Sequence, residues 1–210
     1  MDIYYGVYLT PPPSLLYSLS LAHQVLAAEF NARTASKFMV HCTLKGFFKP
    51  APHTSSADVI SALDDLFART PAFTTKIHPP WVSSTGTGGE SVLLWLERTG
   101  AIQELHNSIW SIIEPFVAQD CLFTPTEPLG EDFAPHITLV QSDLPSEPGI
   151  IMQGMALCRH IFDNLPTHDL LAQDVQLVEF YADDWENAWW ETLRYRQIKG
   201  WQLPLEANHS

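Results

Sequence analysis

Apolar residues recur along this chain in two rhythms, every second residue or every third to fourth, and the changes of rhythm mark out its elements. Residues 3–9 form a β-type run that stops at Pro11-Pro12-Pro13, because proline has no N–H to give to a ladder. Helical spacing follows. Leu15, Leu19, Ala22, Leu26 and Phe30 make one apolar stripe on a helix reaching about Asn31, with Ser14 as the expected N-cap. Residues 38–48 are rich in β-branched and aromatic side chains and predict a strand, closed by Pro50 and Pro52. A helix over 57–68, capped by Ser55 or Ser56, buries Val59, Ile60, Leu63 and Phe67, and a short strand over 73–77 ends at Pro79-Pro80.

The second half repeats this grammar. Thr85-Gly86-Thr87-Gly88-Gly89 reads as a turn rather than a phosphate loop, since neither Lys-Ser/Thr nor a helix follows it. A strand over 91–97, a helix over 101–114 with Ile102, Leu105, Ile109 and Ile112 on one face, and a strand over 133–140 come next. After a loop over 143–148, the pattern predicts a helix over 150–162 and strands over 175–181 and 189–198, the last two joined by a turn at 183–187. Written as types, the order is strand, helix, strand, helix, strand, and then the same five again. The expectation is a single α+β domain over residues 1–210 with two internal lobes, roughly 1–80 and 81–210, related by an approximate two-fold axis with a groove along it.

The middle strand of each half carries the same tetrad of types: His41-Cys42-Thr43-Leu44, and ninety-five positions later (136 minus 41) His136-Ile137-Thr138-Leu139. On a strand, residues i and i+2 share a face, so His41 projects with Thr43 and His136 with Thr138, while Cys42, Leu44, Ile137 and Leu139 turn into a core. Facing one another across a cleft, two imidazoles and two hydroxyls are the groups needed to hold a phosphate and move protons on both sides of it. On a regular strand Lys45 would join the face of His41 and Thr43 and add positive charge to that site.

Composition narrows the partners. Of 210 residues 46% are hydrophobic and 17% charged, as in an ordinary globular protein, and 11 Lys and Arg against 24 Asp and Glu leave a net charge of −13. Such a surface argues against docking along a nucleic-acid backbone, which is bound through Lys and Arg, but leaves room for a small anion held locally. Cys42, Cys121 and Cys158 are too few and too scattered for a disulfide frame or a zinc pattern. The start MDIYYGVYL has neither a basic region nor a long apolar run, and no stretch reaches membrane-spanning length, so a cytoplasmic protein is expected. The other seven histidines, His23, His53, His78, His106, His160, His168 and His209, show no metal-ligand spacing and read as structural. Among the tryptophans, Trp185, Trp189 and Trp190 read mainly as core packing, and Trp81, after two prolines, as a candidate for the groove wall.

With its two His-x-Thr tetrads, each preceded by a strand and a helix, the sequence resembles the 2H phosphoesterase superfamily. Residues 2–11, 83–96 and Trp190-Glu191-Thr192 look like its cyclic phosphodiesterase branch. The resemblance implies a bilobal, pseudo-symmetric α+β fold in which two antiparallel sheets line a central groove with helices outside. It implies catalysis without metal or cofactor, by His41 and His136 as the acid/base pair, with Thr43 and Thr138 as phosphate ligands. Tyr8 falls where that branch tends to have an aromatic lining the groove, and Gln141 where some relatives carry an aromatic. The substrates implied are 2',3'-cyclic nucleotide phosphates, related cyclic phosphates such as that of ADP-ribose, or short 2'-5' linked oligonucleotides, acted on by a monomer. Two other functions fit the same groove: a module that binds a nucleotide without turning it over, and an RNA end-processing or 2'-5' ligase-like enzyme. Intact histidines in both tetrads favour hydrolysis over mere binding, and the charge of −13 counts against a long RNA.

Overall fold

The computed structural model describes residues 2–84, 88–121, 123 and 128–205. Its elements in chain order are β1 (Ile3–Thr10), α1 (Pro13–Phe30), β2 (Cys42–Phe48), α2 (Ser56–Arg69), β3 (Phe73–Ser84), β4 (Glu90–Leu96), α3 (Gly100–Ile113), β5 (His136–Leu144), α4 (Pro148–Asp163), β6 (Asp169–Ala172), β7 (Asp174–Tyr181), α5 (Trp189–Thr192) and β8 (Arg194–Gln202). All strand pairs are antiparallel, in the order β6-β3-β4-β5-β2-β1-β7-β8. Two four-stranded halves are thus recognisable. Between them β2 and β5 share one residue pair, Cys42 with Ile137. Every other neighbouring pair of strands is laddered over at least four residue pairs.

Alternation along the strands separates two faces. In β1, Tyr5, Val7 and Leu9 enter the main core while Tyr4 and Tyr8 join a second, aromatic cluster with Phe180 and Trp185. Gly6 lies between those two tyrosines, where a Cβ would collide with the Tyr8 ring. The main core is continuous across both halves. It takes Leu15, Leu19 and Leu26 from α1, Val59, Leu63 and Phe67 from α2, Ile102, Leu105 and Ile109 from α3, and Cys158 and Phe162 from α4.

Several expectations need correction. The sheet does not divide at residue 80. β3 pairs with β4 and β6, whereas β7 and β8 join β1, so each half of the sheet takes strands from both halves of the chain. Helix α1 begins at Pro13 with Pro12, not Ser14, as its N-cap, since proline lacks an N–H and an N–H in the first turn would be unpaired anyway. Strand β3 continues through Pro79 and Pro80. There the register shifts between Ile77 and Pro80, and β6 pairs only with residues 73–76, so the missing N–H groups cost little at a free edge. Residues 38–41 precede β2 rather than belonging to it, the four-residue β6 stands where the apolar pattern gives no strand, and residues 189–192 form α5 ahead of β8. Residues 85–87 of the expected turn and His209 lie outside the described residues. No described helix is long and apolar enough to cross a membrane.

Helix α2 offers a test of local folding. Ser55 Oγ accepts from the Asp58 amide and the Asp58 carboxylate accepts from the Ser55 amide, a reciprocal cap on the first turn of the helix. Ser55→Ala is expected to cost about 1 kcal/mol, read as a lower urea midpoint with unchanged slope.

Candidate active site

Continuing the Cys42–Ile137 pairing by one residue in each direction, at a constant sum of 179, sets His41 opposite Thr138 and Thr43 opposite His136. Each histidine therefore faces the other strand's threonine, and the two histidines lie on a diagonal. Cys42 and Ile137 are buried beneath, and the four polar residues are half-buried on the opposite face. Tyr8 pairs with Thr43 and Leu93 with Thr138, which fixes each threonine from its outer side as well.

The two rings are held alike. His41 Nδ1–H donates to the Met39 carbonyl at 2.6 Å, and His136 Nδ1–H to the Ala134 carbonyl at 2.8 Å. A carbonyl can only accept, so Nδ1 carries the hydrogen, and in a neutral ring the lone pair is left on Nε2. Their surroundings differ. His41 is packed edge-on against Phe38, centroids 4.3 Å apart, and Tyr8 at 4.8 Å. Desolvation lowers its pKa to about 4, opposed by the bond to the Met39 carbonyl. The ring in contact with His136 is Trp95, at 5.7 Å. Burial drives the Tyr8 phenol well above its ordinary value, so it stays neutral.

His41, Thr43, His136 and Thr138, with Tyr8 and Phe38, line a groove of about 310 Å³, room for a small organic ligand. Since β2 and β5 run antiparallel, Phe47 on β2 and Gln141 on β5 lie toward opposite ends of it. The Phe47 end is aromatic. Trp189 packs on Phe47 at 5.1 Å and Phe123 at 5.9 Å, and Trp190 stands edge-on to Trp189 at 5.8 Å and is 40% exposed. The Gln141 end is polar, with Thr34 and Lys37. Among the described lining residues Lys37 is the one lysine or arginine, and there is no Asp or Glu. No group of three or more His, Cys, Asp or Glu among the described residues could hold a metal ion.

Six of the eight residues singled out in the sequence meet in this groove: His41, Thr43, His136, Thr138, Tyr8 and Gln141. Two do not. Lys45 is turned away by a β-bulge. Tyr8 pairs with Thr43 and Val7 with Lys45, so two steps of β2 match one of β1 and Lys45 arrives on the core face. Its Nζ stands 3.7 Å over the Trp110 ring, and burial lowers its pKa to about 7. Trp81 is 61% exposed on β3 and does not line the groove. Conversely His23, Phe38, Trp189 and Trp190 line it, although the sequence reading assigns none of them to the groove. His23 does carry a legible signal, since it sits with Leu19, Ala22 and Leu26 at helical spacing on a buried stripe.

A family model described as the 2'-5' RNA ligase superfamily matches residues 11–184. Among solved structures, TT0787 of Thermus thermophilus is similar over 99% of this chain and 100% of its own at 15% identity, with a TM-score of 0.63. E. coli LigT complexed with phosphate is similar over 97% of this chain and 99% of its own at 15% identity, with a TM-score of 0.52. LigT complexed with 3'-AMP matches over the same shares at 17% identity and a TM-score of 0.52. At such identities these likenesses establish a shared fold. No curated protein matches the chain significantly.

The displaced lysine has a measurable consequence. Its unfolded pKa is about 10.4, so between that value and the folded value of about 7 the unfolded chain binds more protons, and stability rises with pH through that window. Urea midpoints of the wild type are expected to climb from pH 7 toward pH 10, and those of Lys45→Met to climb less. Affinity for inorganic phosphate should be the same in both; weaker binding by the variant would return Lys45 to the groove.

Proposed function

The chain belongs to the 2'-5' RNA ligase superfamily, whose fold is that of the 2H phosphoesterases, and from its groove we propose that it is a metal-independent phosphodiesterase acting on small nucleotides. The observation that carries this reading is the matched pair of Nδ1–carbonyl bonds, which leaves an Nε2 on each of two histidines set diagonally across one site. Two such nitrogens on opposite sides of a phosphorus serve an in-line displacement.

In the proposed reaction His41 is the base, because its desolvated ring is neutral at physiological pH. Its Nε2 takes a proton from a water whose oxygen attacks phosphorus. The bond from phosphorus to one ribose oxygen breaks, and the protonated His136 gives its Nε2 proton to that oxygen. A cyclic diester opens to a monoester, and the two imidazoles exchange protons with water to start again. Thr43 and Thr138 hydroxyls donate to the non-bridging oxygens, where negative charge grows in the transition state.

The groove also speaks to the substrate. Trp190, exposed and backed by Trp189, offers a face on which a base stacks. With one lysine in the lining and a net charge of −13, a long polyanion is disfavoured over a nucleoside 2',3'-cyclic phosphate, an ADP-ribose cyclic phosphate or a short 2'-5' linked oligonucleotide. LigT, of the same fold, has been crystallised with phosphate and with 3'-AMP, which supports a small-nucleotide ligand.

Two outcomes are expected. On a panel of these substrates with EDTA present, the wild type turns over at least one, and His41→Ala and His136→Ala each abolish that activity without lowering Tm. A single variant that remains active would remove the two-histidine mechanism, and a wild type that binds nucleotide but hydrolyses none would favour a binding module. Trp190→Ala is expected to raise KM for adenosine 2',3'-cyclic phosphate about tenfold more than for ribose cyclic phosphate, the loss of one stacked base. Equal effects on both substrates would mean that the base lies elsewhere.

A further inference from the structure

Two buried histidines outside the catalytic pair are arranged in a way that the reaction above does not use. His23, on α1, donates its Nε2–H to the Thr138 carbonyl at 2.9 Å. His106, on α3, donates its Nδ1–H to the Leu44 carbonyl at 2.7 Å. They are 5% and 1% exposed. The two contacts are counterparts under the internal duplication. α1 precedes the first tetrad but reaches the strand of the second, and α3 precedes the second tetrad but reaches the strand of the first. Both accepting carbonyls lie within or beside the phosphate-holding threonines: Thr138 itself, and Leu44 next to Thr43.

We infer that His23 and His106 are a pair of positioning residues, a crossed clamp that sets the two His-x-Thr strands in register across the site. The need for such a clamp follows from the topology. β2 and β5 share the single pair Cys42–Ile137, so the ladder gives little resistance to sliding or splaying of one strand against the other. A displacement of that kind would separate the Thr138 hydroxyl and the His41 imidazole, which come from opposite strands and act on one phosphate. Each imidazole bonds a carbonyl on the other half's tetrad strand, and this ties the halves at a second and a third point beside the bridge. Another cross-link lies further along β5, where the Thr34 amide donates to Asp143 Oδ2 at 2.7 Å. Phe133 stacks on His106 at 3.8 Å and 8°, which fixes that ring's plane. Burial lowers the pKa of both rings, so each is neutral and has one hydrogen to give.

This inference rests on the proposed phosphodiester hydrolysis, and the test separates the two. His23→Leu removes the donor, and His23→Gln keeps one at the reach of Nε2. For His106, whose bond is made by Nδ1, the pair is His106→Leu and His106→Asn. His23→Leu is expected to lower kcat about tenfold with little change in KM, and His23→Gln to restore most of it. The His106 pair should behave the same way. Because His23 acts through Thr138, adding His23→Leu to Thr138→Val should cost less than about twofold more. An undiminished effect in the Thr138→Val background, or a loss that only tracks the unfolded fraction, would overturn the assignment. His23→Met, also without a donor, serves if the Leu variant does not fold. Failure of both to fold would make the residue structural and end the positioning role. If the wild type turns over no substrate, the proposed function fails on its own, and the same cycle read as affinity for inorganic phosphate still decides for or against the clamp.

Discussion

The single bridge between Cys42 and Ile137 is the constraint on which the site depends. It fixes which residues of β2 and β5 lie opposite one another, and so makes two similar tetrads into one diagonal arrangement of imidazole and hydroxyl. Period two along each strand then does the sorting. Cys42 and Ile137 go down into a core shared by all four long helices, and His41, Thr43, His136 and Thr138 come up into the groove. A more extensive ladder at this position would leave no cleft between the two halves. The narrow contact that opens the groove also leaves it in need of support from beneath, and α1 and α3 are placed to give it.

Two like tetrads make the site, and the differences between their surroundings differentiate it. Both rings are oriented by a carbonyl two residues earlier in the chain, so the two tetrads provide the same tautomer. Around His41, however, Phe38 and Tyr8 exclude water and hold the ring neutral, whereas the neighbour of His136 is Trp95. Similar chemistry in unlike environments is a physical route to dividing the roles of base and acid. The groove is differentiated along its length as well. The chain between β7 and β8 brings Trp189 and Trp190 to one end, and the turn after α1 brings Thr34 and Lys37 toward the other.

The tetrads, the four long helices and most of the strands are legible in the sequence, because each rests on a short-range rule: spacing on a helix, alternation on a strand, a cap at Ser55. What is not legible depends on how strands meet. Lys45 obeys alternation on paper and breaks it in the fold, since a bulge is set by the partner strand and leaves no mark within β2 alone. The division into lobes fails for a similar reason. β3 and β7 follow one half in sequence and join the other in space, a choice made by pairing rather than by composition. Trp81 and Trp190 exchange places because the prolines do not end β3, and residues 189–192 are helical rather than extended. His23 and His106 are polar members of otherwise apolar helical stripes, and such residues need a partner when buried, so their signal is present in the sequence although their partners are not.

Catalysis as proposed requires both tetrad histidines to turn Nε2 toward a shared phosphate, with Nδ1–H held by the backbone. Nitrogen-15 NMR of the imidazoles at pH 8 measures this directly, since the shifts of Nδ1 and Nε2 distinguish the two neutral tautomers. His41 and His136 are both expected to carry the hydrogen on Nδ1, and inorganic phosphate is expected to shift the Nε2 signals of both rings together. A ring found as the Nε2–H tautomer, or a phosphate that perturbs one histidine and leaves the other unmoved, would contradict this.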